Sequence, residues 1–267
     1  MTYAQINGAD IYYEERGKGD ETILFSHGLL WSSQMFRHQI DSLSKKYRVI
    51  AYDHRGQGKT EVTSSGYDMD TLTQDALQLL DHIGIEKVHF VGLSMGGFVG
   101  MRLAARYPDR ITSLTLIETS AEPEPEENIP KYKMLGWVAR LLSIRLVAGR
   151  VMTIMFGDTF LNDPDRADDR QYWKKQLLQN DRVGIHRALG GVVSREGVVG
   201  LLAKISCPTL IMVGDEDKAT VPAKAEKMHQ HIAGSKLVTI PKAGHTSSVE
   251  QPEFVTSQLT EFLANHG

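Results

Sequence analysis

The chain has 267 residues, 41% of them hydrophobic and 24% charged, with a formal net charge of -3. That composition suits one large globular α/β domain and carries none of the clustered Lys and Arg that nucleic-acid binding requires. No apolar run approaches the ~18 residues of a membrane span. The first residues lack a basic-plus-apolar leader, and the single cysteine, Cys207, excludes an internal disulfide. The expectation is a cytoplasmic protein that binds neither nucleic acid nor membrane and acts on a small molecule.

Residues 2–16 read as a hairpin, with Tyr3-Ala-Gln-Ile, an Asn7-Gly8 turn and Ile11-Tyr12-Tyr13. Thr22-Ile-Leu-Phe25 is a short apolar strand running into Ser26-His27-Gly28-Leu29-Leu30. Residues 36–46 suit a helix. Arg48-Val-Ile-Ala-Tyr52 suits a strand, closed by the glycine-punctuated turn Asp53-His-Arg55-Gly56-Gln-Gly58-Lys-Thr60. Met69, Leu72, Ala76, Leu79, Leu80 and Ile83 recur at helical spacing, and Gly84 stops them. Residues 88–92 predict the next strand, followed by a helix to about Arg106 that Tyr107-Pro108 ends, and residues 111–117 predict another strand. This alternation argues for a mostly parallel sheet with helices on both faces.

The pattern then changes. From Ala121 to about Leu202 no convincing buried strand appears. The acidic linker Glu122-Pro-Glu-Pro-Glu-Glu127 leads into helical stretches near 131–149, 169–180 and 184–203. The α/β pattern resumes with a strand at 209–213, a helix near 223–232, a strand at 236–240 and a helix at 252–264. The expected organisation is a core of residues 1–120 and 204–267, with residues 121–203 inserted as a helical cap. Cys207, just before Pro208, reads as a buried small side chain.

The most informative stretch is Gly92-Leu-Ser94-Met-Gly96-Gly97. Glycines two positions either side of a serine suit a strained strand-to-helix turn that holds the hydroxyl out at a helix N-terminus. A serine hydroxyl needs a base within hydrogen-bond reach and an acid to orient that base. Two strand-end loops offer them: Gly214-Asp215-Glu216-Asp217 and Gly244-His245. His245 is the candidate base. Asp217 is the favoured acid; Asp215 reads better as a turn residue, and Glu118 as a rim or lid contact. No H-E-x-x-H or C-x-x-C spacing is present, and the glycines match neither a P-loop nor G-x-G-x-x-G. No metal or cofactor is expected.

The motifs His27-Gly28, Asp53-x-Arg55-Gly56-x-Gly58, Gly92-x-Ser94-x-Gly96-Gly97, Gly214-x-x-Asp217 and Gly244-His245 occur in one register along the whole chain. With them the sequence resembles capped, single-domain esterases and lactonases of the α/β-hydrolase fold. These include 3-oxoadipate enol-lactonases and cofactor-free haloperoxidase-like esterases. The resemblance implies an eight-stranded, mostly parallel sheet flanked by helices, a helical cap, and a Ser94-His245-Asp217 triad. It also implies oxyanion donors at the backbone N–H groups of Leu29 and Met95. Leu30, Trp31 and Trp137 are candidates for the substrate pocket, with packing the competing role for both tryptophans.

A serine at the elbow excludes the aspartate-ester mechanism of the haloalkane dehalogenases and epoxide hydrolases that share this fold. The expected activity is hydrolysis of small carboxylic esters, with lactones as the alternative. A triad-retaining ligand receptor or signalling protein with slow turnover is a further reading. The insertion matches the family least, and it is the part that usually sets substrate choice.

Overall fold

The computed structural model describes residues 2–266. Its strands are β1 (Thr2–Ile6), β2 (Ala9–Arg16), β3 (Thr22–Ser26), β4 (Arg48–Tyr52), β5 (Val88–Leu93), β6 (Ile111–Ile117), β7 (Thr209–Gly214) and β8 (Lys236–Ile240). They form one eight-stranded sheet in the order β1-β2-β4-β3-β5-β6-β7-β8. The β1–β2 and β2–β4 pairings are antiparallel, and the rest of the ladder is parallel. Asn7 and Gly8, both at positive φ, make the tight turn of the β1–β2 hairpin.

The central strands β3, β5 and β7 are buried along their whole length because helices cover both sides of the sheet. Ile23 and Phe25 point to one face and Leu24 to the other. Leu210 and Met212 likewise oppose Ile211 and Val213.

The helices are α1 (Arg37–Leu43), α2 (Met69–His82), α3 (Met95–Arg106), α4 (Ile129–Leu141), α5 (Ile144–Met155), α6 (Asp158–Asn162), α7 (Ala167–Gln179), α8 (Arg182–Val193), α9 (Pro222–His231), α10 (Ser247–Glu250) and α11 (Pro252–Ala264). Leu79 and Leu80 of α2, Met101 and Leu103 of α3 and Met228 of α9 fill one face of the sheet. Ile40 and Leu43 of α1 and Leu259 and Phe262 of α11 fill the other. Asp68 caps α2 by accepting from the Thr71 N–H at 2.9 Å.

Between β6 and β7 the described residues contain helices α4 to α8 and no strand. Their boundaries differ from the sequence-based expectation. The single helix expected at 131–149 is broken between Leu142 and Ser143. Ser143 takes extended backbone and its hydroxyl accepts from the Arg145 N–H at 3.2 Å, so a new helix starts there. The apolar run Leu141-Leu142 masks that cap in the sequence. The helix expected at 184–203 ends at Val193. There the chain turns back to the linker, with the Val198 N–H donating to Ala121 O at 2.6 Å. Helix α6 and the short α10 were not expected. Cys207 is partly rather than fully buried.

Candidate active site

Strands β3 to β8 run parallel and release their loops at one edge of the sheet, where open α/β sheets place their sites. β5 ends at Leu93 and α3 begins at Met95, so Ser94 makes the turn between them, at φ 52° and ψ -111°. A non-glycine residue held in this region stores roughly 1–3 kcal/mol of strain. Its surroundings fix it: the Ser94 N–H donates to Ile117 O at 2.9 Å, and Thr119 Oγ1 donates to Ser94 O at 2.8 Å. The flanking glycines are required by contact. A Cβ on Gly92 would run into the Gly96 carbonyl, and one on Gly96 into the Ser26 carbonyl.

The loops after β7 and β8 bring two further side chains to this hydroxyl. Ser94 Oγ lies 2.8 Å from His245 Nε2, and His245 Nδ1 lies 2.9 Å from Asp217 Oδ2. With Nδ1–H donating to the carboxylate, Nε2 is left to accept the serine proton. Asp217 is buried and well supplied with donors. Its Oδ1 accepts from the Ala219 N–H at 2.7 Å and the Thr220 N–H at 3.0 Å, and Oδ2 also accepts from Thr220 Oγ1 at 2.7 Å. Burial opposes its charge, but the imidazole and these hydrogen bonds prevail and hold its pKa well below the usual carboxylate range. Asp215 is exposed and accepts from the Ala243 N–H at 3.4 Å.

Among the described residues, the N–H groups of Leu29 and Met95 donate to no protein acceptor. Met95 is the first residue of α3, where N–H groups have no partner within the helix and the dipole is positive. The Leu29 loop is tied down around its free donor. Leu30 sits at φ 76° and its N–H donates to Gln57 Oε1 at 2.7 Å. The His27 ring donates from Nδ1 to Gly28 O at 2.7 Å and accepts the His54 N–H at Nε2, 2.9 Å away. Burial keeps both His27 and His54 neutral by pulling their pKa values down. Asp53 accepts from the Ser33 and Lys59 N–H groups, and Arg55 pairs with buried Asp75 at 2.6 Å. These residues join loops and stand apart from the serine.

A cavity of about 130 Å³ opens over Ser94 and His245. Leu29, Leu30, Phe98 and Thr220 line it from the sheet side, and Leu135, Ala139, Ile144, Val147, Ile154 and Leu189 from the helices above. Trp31 and Trp137 do not line it. Trp31 is buried edge-on against Phe156 and Trp173, at 5.8 and 5.3 Å between ring centroids. Trp137 is 49% exposed on α4, with its ring 4.4 Å from that of His186. Both indoles are used in packing, and aliphatic side chains supply the cavity wall instead.

The sequence profile of the family described as the alpha/beta hydrolase fold matches residues 21–252. The chain belongs to the α/β-hydrolase fold family. It is similar to 3-oxoadipate enol-lactonase 1 of Acinetobacter baylyi, with 32% identity over 237 residues, 86% of this chain and 84% of that one. The crystal structure of the enol-lactonase from Burkholderia xenovorans LB400 superimposes with a TM-score of 0.92 at 28% identity, covering 98% of this chain and 100% of the other. A thermophilic esterase from Thermogutta terrifontis gives 0.90 at 31% identity, covering 97% and 95%.

This α/β-hydrolase carries two buried carboxyls behind the relay that sequence reasoning did not place in these roles. Glu118, at φ 45° after β6, is fully buried and accepts the Gly214 N–H at 2.9 and 3.0 Å. Burial and then the charge of Asp217 push its pKa far up, which favours the neutral acid. Glu250 of α10 accepts from the N–H groups of Gly157, Gly244 and Thr246 at 2.8, 3.0 and 3.1 Å. It thereby clamps the His245 loop to the start of α6. Gln57 was also missed: a glutamine between two glycines has no spacing that marks it as a brace.

Proposed function

We propose that this α/β-hydrolase cleaves small carboxylic esters through an acyl-enzyme on Ser94, with His245 as base and Asp217 as its orienting acid. The observation that carries this reading is the unbroken relay from Ser94 Oγ to His245 Nε2 and from His245 Nδ1 to Asp217 Oδ2, at 2.8 and 2.9 Å.

Ser94 Oγ attacks the ester carbonyl carbon and gives its proton to Nε2. The carbonyl oxygen becomes an oxyanion, for which the free N–H groups of Leu29 and Met95 are the donors. One such donor typically stabilises the transition state by roughly 3–4 kcal/mol. The tetrahedral species collapses and the leaving alkoxide takes the proton from Nε2. Water then enters, gives a proton to Nε2 and attacks the acyl carbon, and the second collapse returns Ser94 as the hydroxyl. Throughout, Asp217 stabilises the imidazolium and stays ionised.

Lactones are the second reading, supported by the likeness to the Acinetobacter baylyi enol-lactonase. The steps are the same, except that the leaving oxygen stays tethered to the acyl group and one open-chain acid is released. Residues 121–203 act as a cap that closes the cavity over the serine. The single cysteine supports a reducing, cytoplasmic setting.

A panel of p-nitrophenyl esters of increasing acyl length and several lactones tests the proposal. Multiple turnovers on short esters, abolished by Ser94→Ala, are expected. Undiminished turnover in Ser94→Ala would overturn it. So would a single stoichiometric burst in the wild type.

A further inference from the structure

The cavity wall is apolar apart from a few polar groups, and two of these are formally charged: Glu124 and Arg195. They form an ion pair, with Arg195 Nη1 2.9 Å from Glu124 Oε2 and side chains 2% and 10% exposed. The protein holds the pair further. Arg195 Nη1 also donates to Val192 O at 2.8 Å, Glu124 Oε1 accepts from Asn128 Nδ2 at 3.2 Å, and the guanidinium lies 4.2 Å from the Phe98 ring centroid. Arg195 Nε is buried without a partner.

A carboxylate entering this cavity meets a cation that is already neutralised. It would give the group of three charges a net charge of -1 in an apolar enclosure. Uncompensated charge in such a place is strongly disfavoured by the loss of hydration. A neutral aliphatic chain meets no such cost and gains apolar contact.

We infer that the cavity selects substrates whose occupying group is uncharged and aliphatic, and that Glu124 is the specificity residue that keeps carboxylate-bearing substrates out by neutralising Arg195. The inference rests on the proposed ester hydrolysis and names the substrate class of that site.

The test is a matched pair, methyl hexanoate and monomethyl adipate, which share the reacting ester and differ in a terminal methyl or carboxylate. The small methanol leaving group assigns the cavity to the acyl chain. Rates are followed by acid release in a pH-stat. The wild type should favour methyl hexanoate in kcat/KM by roughly 100-fold or more. Glu124→Gln leaves Arg195 unpaired, so a substrate carboxylate restores neutrality. There the preference should fall by at least about 10-fold, through a gain on monomethyl adipate.

The double variant Glu124→Gln/Arg195→Gln removes both charges and leaves no unpaired one, so it serves if the single variant does not fold. It should keep the wild-type preference. A wild-type preference near unity, an unchanged ratio in folded Glu124→Gln, or a double variant that favours the carboxylate ester would each overturn the inference while leaving ester hydrolysis standing. Failure to hydrolyse either methyl ester or p-nitrophenyl acetate would overturn both.

Discussion

His245 can serve Ser94 only if its other nitrogen is held by a hydrogen-bond acceptor, and Asp217 is the carboxylate in reach, at 2.9 Å. Replacing it with Asn presents an amide that can stabilise the wrong tautomer. Asp217→Asn should therefore lower kcat by about 10⁴-fold with the fold intact. Asp215→Asn should leave it near wild type, since Asp215 is exposed and away from the imidazole. Glu118→Gln is the sharper companion. A buried carboxyl that favours its neutral form and accepts from Gly214 is well mimicked by an amide, so kcat/KM should stay close to wild type. A large loss in Glu118→Gln, or a larger loss in Asp215→Asn than in Asp217→Asn, would show the acid to be misassigned.

At this scale the sequence was legible where backbone geometry demands a particular residue. Gly92 and Gly96 flank Ser94 because no side chain fits there, and Gly244 precedes His245 because a Cβ would meet the Gly157 backbone. Glu118 and Gln57 act through side-chain hydrogen bonds to residues distant in the chain. No local spacing encodes such contacts.

Among the elements, the short helix α10 has a consequence larger than its length. Its Glu250 ties the His245 loop to the N-terminus of α6 through three backbone N–H donors. Burial raises its pKa from 4.5 to about 7 against the pull of those donors. A carboxyl whose folded pKa lies above its unfolded value contributes stability that is complete below about pH 4.5. That contribution is lost as pH rises through about 7, and over this window it amounts to roughly 3 kcal/mol. Glu250→Gln cannot titrate, and its amide N–H₂ opposes one of the backbone donors. Urea unfolding at pH 5 and pH 8 should show the wild type more stable than the variant, by a margin that shrinks at pH 8. An equal margin at both values would remove Glu250 as a titrating clamp.

The helices above the sheet were the least legible elements. Ser143 starts α5 inside an apolar run, and the chain leaves α8 early to pair Val198 with Ala121. The first is a local cap hidden among apolar neighbours and the second a long-range contact, and periodicity shows neither. The central strands read well because burial on both faces writes them as continuous apolar runs.

For the whole molecule, the parallel sheet gathers loops from distant parts of the chain at one edge, and the helices between β6 and β7 roof that edge with aliphatic side chains. The division of labour follows from this architecture. Chemistry is set by loops that the sheet positions. On the proposal made above, substrate choice falls to the roof and to the Glu124–Arg195 pair within it. The fold class was readable from alternating elements. The cavity was not, because Trp31, beside the Leu29 loop, and Trp137, on the cavity-lining helix α4, both turn away from it.

The central claim is that Ser94 is the nucleophile, and the most direct measurement is intact-protein and peptide mass spectrometry after reaction with a fluorophosphonate. One adduct per chain on the peptide containing Ser94, appearing in step with the loss of esterase activity and absent from Ser94→Ala, is the result expected. An adduct on another residue that tracks inactivation, or full activity in protein fully labelled at Ser94, would contradict it.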